Sequence, residues 1–152
     1  RFPNANYYVS ESNWEAAINP SPRDQASYIK TNYSLLKEKG LLTLVSENTK
    51  ILDGVETYTV NGHTRGQQLI KIFDSEETIV FCSDLIPLKS HLKLPWIMGY
   101  DLNAELTLKE KKIFLDKACD SNWLLFFYHD PESIAVRIRK SDKYYEVINE
   151  YK

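Results

Sequence analysis

The sequence predicts an α/β fold formed by one continuous unit over residues 1–152. Several segments with a two-residue hydrophobic period follow one another between residues 41 and 82. Two capping-box patterns precede segments with helical composition, and a continuous apolar run occupies residues 123–127. An alternating strand has one buried face, whereas a strand that is apolar throughout is typically buried on both. Because no Ser/Gly linker or internal repeat divides the chain, these features together indicate a single α/β sandwich.

The first forty residues are predicted to form one short strand and two helices. Asn6–Val9 is aromatic and β-branched, as strands typically are. Ser12-Asn13-Trp14-Glu15 is a capping-box pattern, which predicts a short helix that ends before the next proline. Ser21-Pro22 offers an N-cap followed by proline at the first helical position, and Gly40 offers a stop. A second helix is therefore predicted between these signals, ending at Lys39.

Five strands are predicted next, because apolar and polar residues alternate between clusters of turn-forming residues. They are Leu41–Val45, Lys50–Leu52, Val55–Val60, Gln67–Phe73 and Thr78–Cys82. A third helix is predicted from the capping box Thr107-Leu108-Lys109-Glu110 to about Cys119-Asp120. The apolar run Trp123–Phe127 is predicted as a buried strand, and Ala135–Arg139 with Tyr144–Ile148 as a closing hairpin.

Composition and charge exclude several classes of protein. The chain has 152 residues, of which 43% are hydrophobic, so it can bury a core. Its 19 Lys and Arg against 21 Asp and Glu leave a net charge of −2, which argues against nucleic acid as a partner. No apolar run approaches the ~20 residues of a membrane span, so no membrane association is expected. Two cysteines are too few for a disulfide-stapled secreted scaffold, which favours a cytoplasmic location.

Three side chains that can bind metal ions follow directly after predicted strands. They are His63, Asp84 and His129. Loops at strand ends can aim a side chain, so neighbouring strands would bring the three groups to one edge of the sheet. Taken singly, each residue has a common alternative, namely a surface or hydrogen-bonded histidine or a capping aspartate. Their coincidence favours a site, and Gly62 and Gly66 allow the chain to bend sharply around His63.

These residues lie in segments that resemble the second half of a metallo-β-lactamase-fold hydrolase. The segments are Gly62-His63-Thr64-Arg65-Gly66-Gln67-Gln68, Cys82-Ser83-Asp84-Leu85-Ile86-Pro87 and Phe127-Tyr128-His129-Asp130. Three flanking segments are similar to the lactonase-like branch: Phe2-Pro3-Asn4-Ala5, Trp14-Glu15-Ala16-Ala17 and His91-Leu92-Lys93-Leu94-Pro95-Trp96. The resemblance covers nearly the whole chain and keeps the order of the motifs. It implies an αββα sandwich, of which this chain would be the C-terminal portion.

The resemblance further implies a site for two divalent metal ions. His63 would bind the first ion and His129 the second, with Asp84 bridging them as the catalytic carboxylate. A hydroxide between the ions would attack a small-molecule ester or lactone, with thioesters and phosphodiesters as alternative substrates. Zinc is expected first, and manganese or iron are alternatives, because imidazole and carboxylate suit all three. His91 is expected to contact substrate, although a surface or capping histidine is an equally simple interpretation, and Asp101 is predicted only to form a loop.

The family's His-x-His-x-Asp-His run has no counterpart in this sequence, which contains three histidines that are far apart. Each ion would keep one histidine and a share of Asp84, whereas a zinc site needs at least three protein ligands. The chain also begins with Arg1, and its one methionine is Met98. We therefore expect a C-terminal part of a longer enzyme, inactive and metal-free alone, with the missing N-terminal half as its partner.

Other functions are compatible with the same sequence. A truncated or degenerate relative could act as an interaction module without catalysis, and a small-molecule-binding domain would likewise need no chemistry. Without the upstream half, the predicted sheet would leave an apolar face or edge uncovered. We therefore expect these residues to associate with that half or to self-associate into a homo-oligomer.

Overall fold

The computed structural model describes residues 2–142 and 144–152, and these residues form two sheets. The strands are β1 (Tyr7–Ser10), β2 (Leu42–Val45), β3 (Lys50–Leu52), β4 (Val55–Val60), β5 (Gln67–Phe73), β6 (Thr78–Phe81), β7 (Leu124–Phe126), β8 (Ala135–Lys140) and β9 (Tyr145–Tyr151). The α-helices are α1 (Glu11–Ile18), α2 (Ser34–Glu38) and α3 (Ala104–Asp120). The strand predictions from β3 to β5 are confirmed at both ends, and the other predicted strands shift by a few residues.

The larger sheet contains seven strands in the spatial order β3-β4-β5-β6-β7-β8-β9. Its neighbours are antiparallel except for β6 and β7, which are parallel. A parallel pair needs a long crossover, and here the crossover contains α3. The strands β1 and β2 form a separate parallel pair. As a result, β4, β6 and β7 run in the same direction and end at the same edge of the sheet.

The core lies between α3 and one face of the larger sheet. Phe114, Leu115 and Ala118 of α3 are fully buried, as are Leu69 of β5 and Leu125 of β7. These side chains form one contiguous apolar cluster, which also includes residues from β4, β6 and β8. Burial of apolar surface between the helix and the sheet therefore stabilises this packing.

The opposite face of the larger sheet is apolar but only partly covered. Side chains alternate along a strand, so this face carries the neighbours of the buried residues in β5, β6 and β7. They are Ile70, Ile72, Ile79, Phe81, Leu124 and Phe126, which lie opposite one another in register. Ile72 is 52% exposed. The other five side chains are half-buried, so among the described residues this face is partly covered and not bare as predicted. The strand β7, which was predicted to be buried on both faces, is fully buried on one face only.

Two helix predictions near the N-terminus require correction. Helix α1 begins after Ser10, whose hydroxyl accepts a hydrogen bond from Asn13 N at 3.1 Å, rather than at the predicted capping box. The long helix predicted from Ser21 to Lys39 is absent, because the described segment contains two short 3-10 turns and then α2. Its apolar residues form no continuous stripe, so packing cannot support a long helix. Gly40 does follow the last turn of α2 and has a φ of 67°.

Among the described residues, no helix is both long enough and apolar enough to span a membrane.

Candidate metal centre

His63, Asp84 and His129 lie together at the edge of the larger sheet where β4, β6 and β7 end. His63 follows β4, Asp84 lies in a 3-10 turn after β6, and His129 follows β7. His63 Nε2 is 3.7 Å from Asp84 Oδ2, and His129 Nε2 is 3.4 Å from Asp84 Oδ1. Strand direction therefore explains how residues that are distant in sequence approach one carboxylate.

These distances suit a carboxylate that shares its two oxygens between two cations. Two ligand atoms on one tetrahedral zinc ion, each bonded at ~2.0–2.1 Å, lie roughly 3.3 Å apart. Each histidine is near that separation from a different oxygen of Asp84, so each cation would have two ligands here. In residues 2–142 and 144–152, no group of three or more His, Cys, Asp or Glu side chains could hold an ion. Each histidine and the nearer oxygen of Asp84 therefore fit one divalent cation as a pair of ligands. Each cation would need additional ligands to complete its coordination.

Two further side chains hold the Asp84 carboxylate. Tyr128 donates its hydroxyl to Asp84 Oδ1 at 2.8 Å, and Gln67 donates its amide to Asp84 Oδ2 at 3.2 Å. Burial and this hydrogen bond to Asp84 raise the pKa of Tyr128, so the phenol remains a donor at neutral pH. Since a carboxylate has about four lone-pair positions, one on each oxygen remains for a cation. Sequence analysis gave neither residue this role, although both lie beside a predicted ligand or its loop.

The backbone next to Asp84 is strained. Ser83 has a φ of 49°, which is the left-handed conformation that residues other than glycine rarely adopt. Such a conformation costs about 1–3 kcal/mol and persists where surrounding structure imposes it, often at functional sites. The strain coincides with the point at which the chain leaves β6 and presents the Asp84 carboxylate.

The loop that carries His63 is fixed to α3. Asn61 N and Gly62 N donate to the two carboxylate oxygens of Glu110 at 2.8 and 2.9 Å. A Cβ atom at Gly62 would overlap the backbone nitrogen of Thr107, so glycine is required for this approach. The predicted capping box that includes Thr107 and Glu110 is wrong as the start of α3. The helix begins three residues earlier, where Asn103 accepts a hydrogen bond from Leu106 N at 3.0 Å.

Asp101 lies directly behind His63. Its Oδ1 is 2.7 Å from His63 Nδ1, and the two side chains are 1% and 10% exposed. The backbone places it there, because Leu102 N donates to the carbonyl of His63 at 3.1 Å. Asn103 N likewise donates to the carbonyl of Gly62 at 2.8 Å. The sequence interpretation of Asp101 as a simple loop former missed this contact, since 38 residues separate it from His63.

The loop that carries His129 is organised by Asp130. The Asp130 carboxylate accepts hydrogen bonds from the backbone nitrogens of Lys89, Glu132 and Ser133 at 2.7–2.9 Å. Burial acts to raise the pKa of Asp130, but these backbone donors outweigh it and lower the pKa. The ring of His129 stacks on Tyr128, with 3.8 Å between the ring centres. This half of the site is open, since the His129 side chain is 50% exposed.

His91 lies in a 3-10 turn, Lys89–Leu92, and its role in substrate binding stays a prediction. Burial and the nearby Lys111 ammonium lower its pKa. Its Nδ1 is buried and has no hydrogen-bond partner among the described residues. Lys111 itself is fully buried and donates to the carbonyls of Lys93, Leu94 and Trp96 at 2.6–3.2 Å. Burial lowers the pKa of Lys111 to about 8.

A cavity of about 400 Å³ opens beside His63. Its walls include Arg23, Gln67, Gln68 and Tyr100, but His91 does not line it. Within the described part of the chain, Gln67 Oε1 and Gln68 Nε2 are buried without a hydrogen-bond partner. These two amide atoms lie within the wall of the cavity near the candidate metal centre.

Comparison with known proteins identifies the fold. No family model matches the sequence, and no curated protein matches it. Among solved structures, a probable metal-dependent hydrolase from Staphylococcus aureus is similar with a TM-score of 0.87 and 22% identity over 98% of this chain. AidC, a dizinc quorum-quenching lactonase in complex with a product, is similar with a TM-score of 0.77 and 22% identity over 99% of this chain. The hydrolase AbOPH of the beta lactamase superfamily gives a TM-score of 0.82 and 19% identity over 99% of this chain.

The chain spans about half the length of these proteins, covering 52% of the first, 56% of AidC and 57% of AbOPH. The matched half includes the seven-stranded sheet, α3 and the edge that carries His63, Asp84 and His129, since nearly all of this chain is covered. At these identities the likeness concerns the fold and leaves activity and substrate open. The chain has the mixed α/β fold of the C-terminal part of the metallo-β-lactamase-fold hydrolases.

Proposed function

We propose that this chain supplies one half of a two-metal hydrolase site that acts on a small-molecule ester or lactone. The main support is the arrangement of Asp84, whose two carboxylate oxygens each approach a different histidine. AidC, a dizinc lactonase, has the same fold over this chain and makes a lactone the first substrate class to test. Divalent ions, when bound, would activate water and polarise the attacked carbonyl. Zinc is proposed first, with manganese or iron as alternatives.

In this proposal, the residues of the chain act through their donor atoms and charge. His63 and His129 each present Nε2, and Asp84 is the catalytic carboxylate shared between the cations. Tyr128 and Gln67 orient that carboxylate by donating one hydrogen bond to each of its oxygens. His91 is proposed to contact substrate because the family resemblance places its turn, Lys89–Leu92, beside the candidate metal centre.

The remaining ligands are proposed to come from a partner that packs on the partly covered apolar face of the larger sheet. Each cation has two candidate ligands here, whereas a catalytic zinc ion has at least three from protein. Because the chain spans about half of each similar structure, the N-terminal half of the same fold is the proposed partner. Self-association through the same face is the alternative, and a cytoplasmic location is retained as a proposal.

The test uses the full polypeptide as its gene encodes it. Metal content is measured after dialysis against zinc, and hydrolysis is measured with an N-acyl homoserine lactone and a simple aryl ester. We expect about two metal equivalents in the unaltered protein and fewer in His129→Ala. The matched control is Asp53→Ala, since Asp53 is 98% exposed and precedes β4, whereas His63 follows the other end of that strand.

Retention of both metals and of full activity in His63→Ala and His129→Ala would reject the assignment. The cavity of about 400 Å³ beside His63 favours a second candidate, a small-molecule-binding module without catalysis. A full polypeptide that binds the lactone but holds no metal and hydrolyses nothing would support that second candidate.

A further inference from the structure

We propose that Asp101 is a positioning residue that holds the His63 ring in one tautomer, so that Nε2 keeps a free lone pair. The inference rests on the proposed function, because the free lone pair matters for binding a cation. The contact that supports it is the 2.7 Å separation between Asp101 Oδ1 and His63 Nδ1. Both side chains are largely inaccessible to water, so solvent does not compete for this hydrogen bond.

The chemistry of imidazole explains how one contact determines the other nitrogen. A neutral histidine carries one N–H and one lone pair, on different ring nitrogens. A carboxylate can only accept, so the proton lies on Nδ1 and the lone pair on Nε2. In the other tautomer, Nε2 would need an acceptor, but Asp84 Oδ2 lies 3.7 Å away, beyond hydrogen-bond distance. The surroundings therefore stabilise the tautomer that can bind a cation through Nε2.

The way in which Asp101 is buried also points to this role. Its second oxygen, Oδ2, is buried and has no hydrogen-bond partner among the described residues. A carboxylate that only stabilised the loop would be expected to use both oxygens, because a buried unpaired acceptor is unfavourable. Here the one hydrogen bond from a side chain comes from the ring of a candidate ligand. Carboxylates placed behind metal-binding histidines are known to orient the ring and to strengthen metal binding.

Neighbouring groups fix the carboxylate in position. Backbone hydrogen bonds join residues 102 and 103 to the loop that carries His63. Arg23 donates to the Asp101 carbonyl at 3.4 Å. The ring of Tyr100 meets the His63 ring edge-on, with 5.8 Å between the ring centres. The histidine ring thus contacts a carboxylate at Nδ1 and the ring of Tyr100 edge-on.

The first experiment measures the tautomer of His63 directly and needs no metal. Nitrogen-15 NMR of the metal-free full polypeptide, labelled at histidine, should show His63 protonated at Nδ1. Asp101→Ala should move the His63 signals toward the Nε2–H form, whereas Asp101→Asn should keep the Nδ1–H form because its amide oxygen can accept. An unchanged spectrum in Asp101→Ala would overturn the proposal, since a purely structural role would leave the tautomer unaffected.

The second experiment measures zinc affinity by competition with a chelator. Asp101→Ala should weaken zinc binding by about 10–100-fold, and Asp101→Asn should weaken it less. Val136→Ala is the control for lost stability, because Val136 is fully buried in the core beside α3 and makes no hydrogen bond to the site through its side chain. Unaltered zinc affinity in Asp101→Ala would overturn the proposal. If the unaltered protein binds no zinc, the proposed function fails while the tautomer measurement still decides the role of Asp101.

Discussion

His63 and His129 approach the same carboxylate, yet the side chain of His63 is 10% exposed and that of His129 is 50% exposed. His63 is held from behind by Asp101, and its loop is fixed to α3 through Glu110. His129 stacks on Tyr128 at the surface, and its loop is held by Asp130. The half of the candidate centre that carries His63 is therefore preorganised within this chain, whereas the half that carries His129 is open to solvent.

The largest effect is expected from Asp84→Ala, because Asp84 joins the two halves. Both cations should be lost together, and hydrolysis should fall by more than the ~100-fold that removal of an outer-shell partner can cost. Metal content and kcat/KM of the full polypeptide are the measurements. Loss of one cation alone would show that the two histidines belong to separate sites.

A glycine substitution tests how firmly the His63 half is held. Gly62→Ala places a Cβ atom against the Thr107 backbone, so the loop and α3 must separate. Overpacking of this kind costs about 1–3 kcal/mol of unfolding free energy, measured by urea denaturation. Gly99→Ala is the matched control, because a Cβ atom there meets nothing within 4 Å. Equal stability of the two variants would contradict the tight contact between the loop and the helix.

A substitution in the exposed half of the centre, which carries His129, should weaken zinc binding less than a substitution in the half that carries His63. Tyr128→Phe removes the hydrogen bond to Asp84 Oδ1 but keeps the ring that stacks on His129. Because that hydroxyl lies at the surface, we expect zinc affinity to fall by no more than about 10-fold, at the low end for such partners. Tyr8→Phe, at an exposed position in β1, is the control. A larger loss than that caused by Asp101→Ala would reverse the proposed ranking of the two halves.

The smallest effect on the candidate centre itself is expected from the buried Lys111, which donates to the carbonyls of Lys93, Leu94 and Trp96 and whose titration should change only the stability of the fold. Burial lowers its pKa to about 8, whereas an unfolded lysine titrates near 10.4. Between these values the unfolded chain binds more protons, so stability should rise with pH by at most about 1.4 kcal/mol per unit. Lys111→Met should flatten this rise in denaturation curves recorded from pH 8 to 10. A free energy of unfolding that does not change between pH 8 and 10 in the unaltered protein would contradict the lowered pKa of Lys111.

Local patterns predicted the strands well, because alternation and turn residues act over a few positions. Val55–Val60 and Gln67–Phe73 have the predicted bounds for this reason. The segment that begins at Ser21 had good end signals but no continuous apolar stripe, so its predicted helix is absent. Thr107 and Glu110 match a capping box, yet Glu110 binds backbone donors 48 and 49 residues away. Long-range partners of this kind leave no local pattern.

In the candidate site, too, the sequence predicted local features but not long-range contacts. The placement of His63, Asp84 and His129 after strands predicts their convergence, since parallel strands end at one edge of a sheet. The supporting residues were missed, because Asp101 and Gln67 become neighbours of the ligands only through tertiary structure. A candidate metal ligand can be predicted from its residue type and its position after a strand. The residue that orients the ligand can be identified only from the contacts in the folded structure.

The parallel pairing of β6 with β7 has a consequence for how such a chain can diversify. The chain leaves the sheet at the end of β6, just before Asp84, and re-enters it at β7, which ends just before His129. The connecting segment is therefore anchored at both ends by two strands with a fixed register. Insertions between Trp96 and Asp101 would reshape the cavity wall that Tyr100 forms without changing those strand ends. Loops of different length could therefore be accommodated there while Asp84 and His129 keep their places after β6 and β7.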